Sequence, residues 1–194
     1  MKKNKLTINY ICEVNYPNTS AYSIHVIKMC DAFAKDNKVN LFVPSANISY
    51  KNLEKQYKIK NKINLIKINK KNVKLNFIFR VIFSIKILFK TNKINDKHTI
   101  FLSRSIIFAL IASFSKKKII LELHHKLTGQ TKNFFKILNF FGILKNLKYI
   151  FIHKNLKKYI PLNEKNFITL DDAVDIEDFK QDKTPKKIKN TCVY

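Results

Sequence analysis

The sequence predicts an α/β fold in which an open parallel sheet is covered by helices on both faces. Short apolar runs with high β propensity alternate with longer segments of helical spacing along most of the chain. The strand-like runs are almost continuously apolar, which is typical of parallel strands buried on both faces. A chain of 194 residues with 46% hydrophobic residues is long enough to bury the core of one such domain.

The first strand–helix–strand unit opens the predicted sheet. Leu6–Val14 is apolar and β-rich, and it ends in the turn-forming residues 15–20. Residues 24–34 carry an apolar stripe at helical spacing, and Ser23 is the predicted N-cap of that helix. Val39–Val43 predicts a short buried strand. This order of elements indicates a parallel sheet.

The same alternation continues along the chain. Further strands are predicted at Ile63–Ile68, Thr99–Ser103, Ile119–Leu123, Tyr149–Ile152 and Phe167–Leu170. Helices are predicted at Leu75–Phe89, Ile106–Ser115, Phe134–Leu144 and Asn155–Ile160. Residues 180–190 form a polar, linker-like stretch before the apolar residues 191–194. We therefore expect one domain over residues 1–179, and the linker and first strand of a second domain over 180–194.

The net charge of +25 is carried almost wholly by lysine, since only Arg80 and Arg104 of the 38 basic residues are arginine. Phosphate and nucleic-acid recognition favour arginine, whose planar fork binds phosphate bidentately. The charge is therefore interpreted as a solvated lysine surface, which attracts anionic lipid headgroups and nucleotide phosphates. The chain lacks an aromatic-basic RNA-binding pattern, a zinc finger and a recognition helix, so we expect no nucleic-acid partner.

Glycine and cysteine usage excludes several classes of protein. With only two glycines, the chain contains neither a dinucleotide-binding fingerprint nor a phosphate-binding loop, which argues against a dehydrogenase or an NTPase. Three scattered cysteines fit neither a disulfide framework nor a zinc site. The sequence has no signal-peptide core and no apolar run long enough to span a bilayer. We expect a cytoplasmic protein that at most lies against the inner face of the cytoplasmic membrane.

Ligands of open parallel sheets bind at the carboxyl ends of the strands, close to helix N-termini. Three segments are predicted there: the loop at residues 15–22, Arg104 after one strand, and the run Glu122, His124 and His125 at the end of another. An imidazole at this edge can exchange a proton or hold a sugar hydroxyl. Arginine, being rare in this chain, indicates phosphate or carboxylate binding.

Each of these residues also has a structural interpretation. The two histidines can be surface or capping residues, and Glu122 can pair with Lys126 or a helix end. Arg104 can form a salt bridge at a helix start. His25 either lies near the first loop or packs on the flank of its helix.

Two further segments allow more than one interpretation. The apolar-basic residues 73–90 can lie in a membrane interface, or can pack on the sheet with their basic side chains reaching outward. The acidic residues between 171 and 178 indicate a helix N-terminus with favourable charges, and less strongly a divalent-cation site.

Four segments resemble family 4 glycosyltransferases of the GT-B fold. AYSIHVIKMCDAFAKDNKVNLFVP, residues 21–44, is similar to the first βαβ unit of that family, and FLSRS to its strand ending in arginine. IILELHH is similar to its strand ending in E-x-H. FITLDDAVDIEDF, residues 167–179, is similar to its interdomain signature, and the segments occur in the family's order.

The resemblance implies the Rossmann-like, acceptor-side N-terminal half of a GT-B enzyme. The acceptor, a glycan or a lipid-linked glycan, would bind here, and the sugar nucleotide mainly on a second domain. Transfer would proceed with retention, in the synthesis of cell-surface polysaccharide or lipopolysaccharide, and without a cofactor or a metal. His124 matches the histidine beside the reacting sugar, Arg104 the strand-end arginine, and Ser20, Ala21 and Tyr22 the first loop; Glu122 and His125 are further candidate substrate contacts.

The chain departs from the family pattern in two respects. Ser20, Ala21 and Tyr22 stand where many relatives have adjacent glycines, and the donor-binding domain, with its basic clamp and paired glutamates, is absent from these 194 residues. Because the leaving diphosphate would then lack a stabilising partner, we predict that the chain alone is inactive. The alternative is a non-catalytic basic module that binds a membrane or works with a separate donor-binding subunit.

Overall fold

A computed structural model describes residues 5–92, 97–160 and 166–170, and within these ranges the chain forms one parallel sheet flanked by helices. The sheet has seven strands, in the order β3-β2-β1-β4-β5-β6-β7, and every neighbouring pair is parallel. Its strands are β1 (Thr7–Ile11), β2 (Lys38–Val43), β3 (Ile63–Lys67), β4 (Thr99–Ser103), β5 (Ile119–Leu123), β6 (Lys148–Phe151) and β7 (Phe167–Thr169). The predicted open parallel α/β sheet is confirmed.

Helices cover both faces of the sheet. They are α1 (Ala21–Ala34), α2 (Tyr50–Tyr57), α3 (Phe77–Lys90), α4 (Ile106–Ala112) and α5 (Gly129–Phe140), with 3₁₀ turns at Ile143–Asn146 and Lys154–Tyr159. The prediction of one helix over Phe134–Leu144 was wrong in its bounds, because Gly142, with φ of +69°, ends the α-helical part and a 3₁₀ turn follows. The helix predicted at Asn155–Ile160 is a 3₁₀ turn over Lys154–Tyr159, and α2 was not predicted.

Because successive side chains of a strand point to opposite faces of the sheet, the buried apolar residues form two clusters, one on each face. On one face Tyr10 and Leu41 pack with α1 and α2, which together form the α1–α2 layer. On the other face Ile11, Phe42 and Phe101 pack with α3, α4 and α5, which together form the α3–α5 layer. Neighbouring helices of the second layer contact one another, α3 with α4 and α4 with α5.

The helices α1 to α4 begin at the carboxyl edge of the sheet, each after a polar N-cap residue. The side chains of Ser20, Ser49, Asn76 and Ser105 each accept a hydrogen bond from a backbone N–H in the first turn of the helix that follows. The prediction that Ser23 caps α1 was therefore wrong. Its hydroxyl instead donates to the carbonyl oxygens of Asn18, at 2.8 Å, and Ser20, at 2.7 Å, inside the first turn.

The strand order reverses between β1 and β4. From β1 the chain adds β2 and β3 on one side, with α1 and α2 on one face, and then adds β4 to β7 on the other side, with α4 and α5 on the opposite face. Such a reversal opens a crevice at the carboxyl ends of the two central strands. Any site at this edge is therefore built from the segments that follow β1, β4 and β5.

Several predictions fall on residues outside the described ranges. These are the acidic cluster at 171–178, the linker at 180–190, the domain boundary at 179 and most of the signature that begins at Phe167. Over the ranges that are described, the helices are too short or too polar to cross a bilayer.

Candidate functional site

Glu122, near the end of β5, is the centre of a polar cluster at the carboxyl edge of the sheet. Its side chain is only 3% exposed. The Tyr10 hydroxyl donates to Oε2 at 3.1 Å, and His124 Nε2 forms a hydrogen bond with Oε1. His25 Nε2 lies 3.4 Å from the same Oε1 atom, and Arg104 Nε lies 3.9 Å from it. Four side chains thus lie around this one buried carboxylate.

These side chains come from four separate elements. Tyr10 lies on β1, Arg104 directly follows β4, His124 directly follows β5, and His25 lies in the second turn of α1. Since the strands are parallel and adjacent, their carboxyl ends meet at one edge, and α1 begins there as well. The imidazoles of His25 and His124 stand nearly perpendicular, with ring centroids 5.5 Å apart.

Arg104 also contacts the start of α1. Its guanidinium carbon lies 4.5 Å from the centroid of the Tyr22 ring, within the range of a cation–π contact. The structure therefore brings Tyr22, Arg104, Glu122 and His124 together, as the sequence predicts for this edge. The alternative pairing of Glu122 with Lys126 is replaced by the contacts to the two histidines and Arg104.

The remaining predicted site residues lie at the rim of the cluster. Ser20 and Ala21 are exposed at the N-terminus of α1, where the Ser20 side chain accepts from the backbone N–H of Ser23 at 3.3 Å. The Asn18 side chain accepts from the backbone N–H of Ser20 at 2.8 Å, which fixes the first loop. His125 is exposed beside His124, and its contact with a substrate stays a prediction.

The surroundings of Glu122 keep it ionised. Burial by itself raises the pKa of the carboxyl, but the hydrogen bonds of His124 and His25 and the charge of Arg104 outweigh burial and hold that pKa at about 2. Burial raises the pKa of the Tyr10 hydroxyl well above its ordinary value, so Tyr10 stays a hydrogen-bond donor. Burial also raises the pKa of the Cys12 thiol to about 12, so Cys12 is not an activated nucleophile.

The proton arrangement of His124 follows from this charge. An ionised carboxylate only accepts hydrogen bonds, so the Nε2 atom of His124 carries a proton. In the neutral imidazole Nδ1 is then the acceptor. Glu122 therefore fixes both the orientation and the tautomer of His124, as a carboxylate does for an imidazole that takes part in catalysis.

A second carboxylate, Glu13, lies on the other side of the sheet at the same edge. The Ser105 hydroxyl donates to it, and Arg80 Nη1 of α3 lies 3.5 Å from its Oε2 atom. Burial raises the pKa of Glu13 against the opposing effects of Ser105 and Arg80. Both arginines of this lysine-rich chain therefore contact a carboxylate at the carboxyl edge. The sequence interpretations of residues 73–90 did not include this contact, which Arg80 makes while its side chain stays 43% exposed.

Three residues of this edge were not selected as site residues from the sequence. Tyr10 and Glu13 were not singled out, and His25 was interpreted mainly as a residue of the helix flank. The available signals were an aromatic hydroxyl inside an apolar strand, an acidic residue two positions beyond that strand, and a histidine in the second turn of the following helix.

Three donors of the cluster could hold a metal ion. Ligand atoms of His25, Glu122 and His124 lie within 4.8 Å of one another, and two histidines with one glutamate form a known zinc ligand set. Arg104 places a positive charge 3.9 Å from the shared oxygen, which opposes a cation. The same positive charge favours a polar or anionic ligand, such as a sugar hydroxyl or a phosphate.

Comparison with known proteins gives a structural likeness but no match in sequence. No family model and no curated protein matches the sequence. The fold is similar to the crystal structure of a glycosyltransferase from Rickettsia africae ESF-5, with a TM-score of 0.61, 15% sequence identity and 95% of this chain covered. The match covers 48% of that protein, so the chain spans about half of its length. At this identity the likeness establishes the fold alone, a Rossmann-like parallel α/β sheet.

Proposed function

We propose that this chain is the acceptor-side domain of a sugar-nucleotide-dependent glycosyltransferase of family 4 with the GT-B fold. The observation that carries the proposal is the ionised Glu122, which orients His124 and His25 beside Arg104 at the reversal of the strand order. The likeness to about half of a solved glycosyltransferase supports it. So does the order in which the four sequence segments occur.

In this proposal His124 lies beside the reacting sugar. Its Nδ1 atom would accept a hydrogen bond from a hydroxyl of the donor sugar or the acceptor, with the ring held by Glu122. Arg104, fixed over the Tyr22 ring, would bind a phosphate oxygen or a carboxylate of the substrate. The acceptor would be a glycan or a lipid-linked glycan of cell-surface polysaccharide or lipopolysaccharide synthesis, and transfer would proceed with retention and without a metal.

The donor nucleotide would be bound mainly by a second Rossmann-like domain. That domain would supply the positive charge that stabilises the leaving diphosphate, either in the same reading frame or as a separate subunit. The isolated chain of 194 residues is therefore expected to transfer no sugar. Glycosyl transfer by the purified chain would contradict the assignment of donor binding to a second domain.

The test begins with the reading frame beyond Tyr194 and continues with the protein that it encodes. Radiolabelled UDP- and GDP-sugars are incubated with that protein and a lipid extract of the source cells, and label in the lipid fraction is counted. His124→Ala is expected to reduce transfer about 100-fold, because an oriented acid–base or hydrogen-bonding group is lost. The control is His98→Ala, since His98 precedes β4 at the opposite edge of the sheet.

Two results would contradict the proposal. One is transfer by His124→Ala at the rate of the unchanged protein. The other is a stop codon after Tyr194 together with no Rossmann-like protein recovered on the immobilised chain, which would favour the alternative of a non-catalytic basic module.

A further inference from the structure

Large apolar side chains are exposed very unevenly on the two helical layers. Among the described residues, the α1–α2 layer exposes one, Ile24, and three more lie outside both layers, Tyr159, Ile168 and Leu170. The α3–α5 layer, with the residues directly after α4 and α5, exposes ten. They are Phe77, Ile78, Ile82, Ile85, Phe89, Phe114, Phe134, Ile137, Phe140 and Phe141. Concentrations of this kind on a protein surface mark an interaction site.

The exposed residues of α3 form a stripe along the helix. Ile78, Ile82, Ile85 and Phe89 are spaced at i, i+4, i+7 and i+11 and therefore share one side. Phe83 and Ile87, which are fully buried, occupy the side that packs on the sheet. α3 thus has two apolar faces, and the sheet covers one of them. The same division recurs on α5, where Phe135 and Leu138 are buried while Phe134 and Ile137 are exposed.

The charges on this layer all have one sign. α3, α4 and α5 contain no aspartate or glutamate, and their charged residues are Arg80, Lys86, Lys90, Lys132 and Lys136. Arg80 is bound to Glu13, but the four lysines are exposed. α1 and α2, by contrast, carry Asp31 and Glu54. An apolar stripe bordered only by lysines is complementary to a surface that is apolar inside and anionic outside, which is the chemistry of an anionic bilayer.

We propose that the α3–α5 layer docks on an anionic lipid bilayer. The stripe of α3 lies at the boundary between headgroups and acyl chains, with Phe89 reaching the acyl region, and Lys86 and Lys90 contact lipid phosphates. The Glu122 cluster lies at the carboxyl edge of the sheet, mainly on the side of the α1–α2 layer, so the docked α3–α5 layer does not cover it. The docking proposal does not depend on glycosyl transfer and is tested without a sugar.

Co-sedimentation with vesicles separates docking of this layer from diffuse attraction of a protein of charge +25. The vesicles are phosphatidylcholine alone, or three parts phosphatidylcholine to one part phosphatidylglycerol. The variant K86E/K90E carries two reversals on α3, and the matched control K51E/K55E carries two reversals at the same spacing on α2. We expect binding only to the anionic vesicles, lowered about 30-fold by K86E/K90E and much less by K51E/K55E. Equal losses in both variants, or no binding of the unchanged protein, would overturn the proposal.

Insertion of the apolar stripe is tested by Phe89→Glu, with Ile24→Glu on the opposite layer as its control. Phe89 is 75% exposed and Ile24 42% exposed, so both variants should fold, which circular dichroism checks. Phe89→Glu should lower vesicle binding about 10-fold, since an apolar side chain is lost from the interface. Unchanged binding would refute insertion. A dimer in light scattering that Phe89→Glu dissociates would show that a second copy covers the layer, which would also overturn the proposal.

Discussion

The α1–α2 layer and the α3–α5 layer cover opposite faces of one sheet, and they differ in how they are held to it and in what they present to solvent. The α1–α2 layer combines its apolar contacts with buried polar ones. Asp31 of α1 accepts hydrogen bonds from the backbone N–H groups of Lys60, at 3.1 Å, and Asn61, at 2.7 Å, in the loop before β3. Glu122, Tyr10 and His25 lie on this side as well.

The α3–α5 layer is held mainly by apolar packing, with the Arg80–Glu13 pair at its edge. Directional hydrogen bonds hold groups in one geometry, which is what a site for a polar ligand requires. Apolar contacts are not directional, and the layer that relies on them also presents apolar side chains outward. The same sheet therefore carries an ordered polar cluster on one side and exposed apolar side chains on the other.

The largest expected change in the free energy of unfolding is at α3, where substitutions on the buried side and on the exposed side should differ. Phe83→Ala removes a side chain that is fully buried and should lower the free energy of unfolding by about 3 to 5 kcal/mol. Phe89→Ala on the same helix removes a side chain that is 75% exposed and should change it by less than about 0.5 kcal/mol. Urea denaturation measures both. Similar losses in the two variants would mean that the outer side of α3 is packed against something in the isolated protein.

A somewhat smaller effect should appear at low pH, on the side of the Glu122 cluster. The pKa of Glu122 is lowered from its ordinary value of 4.5 to about 2, so the ionised cluster stabilises the fold above about pH 4.5. This contribution, on the order of 3 kcal/mol, should disappear as the pH falls from 4.5 to 2. Glu122→Gln has no carboxyl to titrate, so urea denaturation of the unchanged protein should lose that much more stability than the variant over this interval. If the free energies of unfolding of the two proteins change equally between pH 4.5 and 2, the pKa of Glu122 is not lowered by the fold.

The fold was largely predictable because its strands are short, apolar and separated by clear turns. β4 and β5 were predicted at their observed bounds, Thr99–Ser103 and Ile119–Leu123. α2 was missed because it is only eight residues long and mainly polar, so its two buried residues, Leu53 and Tyr57, are too few to mark helical spacing in the sequence. The 3₁₀ form of residues 154–159 depends on local backbone geometry that apolar spacing does not encode.

The candidate site was predictable only in part. That Arg104 and Glu122 meet follows from parallel strands alone, because the carboxyl ends of neighbouring strands share an edge. The contacts of His25 and Tyr10 also require the position of β1 next to β4 and the rotation of α1 about its axis. Those depend on tertiary packing, which a single sequence does not display.

A moderate effect should follow from the polar contacts of the α1–α2 layer. Asp31→Ala leaves the backbone N–H groups of Lys60 and Asn61 without their carboxylate acceptor, so the free energy of unfolding should fall by about 2 kcal/mol. The matched control is Asp36→Ala, since Asp36 is exposed just beyond the end of α1. If both variants unfold at the same urea concentration, hydrogen bonds do not distinguish this layer from the other.

The smallest effect should distinguish the two arginines. Arg104→Lys keeps the charge near Glu122 but loses the planar group that lies 4.5 Å over the Tyr22 ring, and should lower the free energy of unfolding by about 1 kcal/mol. Arg80→Lys on the other layer should cost less, because the Arg80 side chain is 43% exposed and a lysine can still reach Glu13. The difference between the two variants is measured by urea denaturation at neutral pH. A larger loss of stability in Arg80→Lys than in Arg104→Lys would mean that the polar contacts on the α3 side depend more strongly on geometry. At the carboxyl edge, the two sides of the sheet would then no longer differ as an ordered polar side and an apolar side.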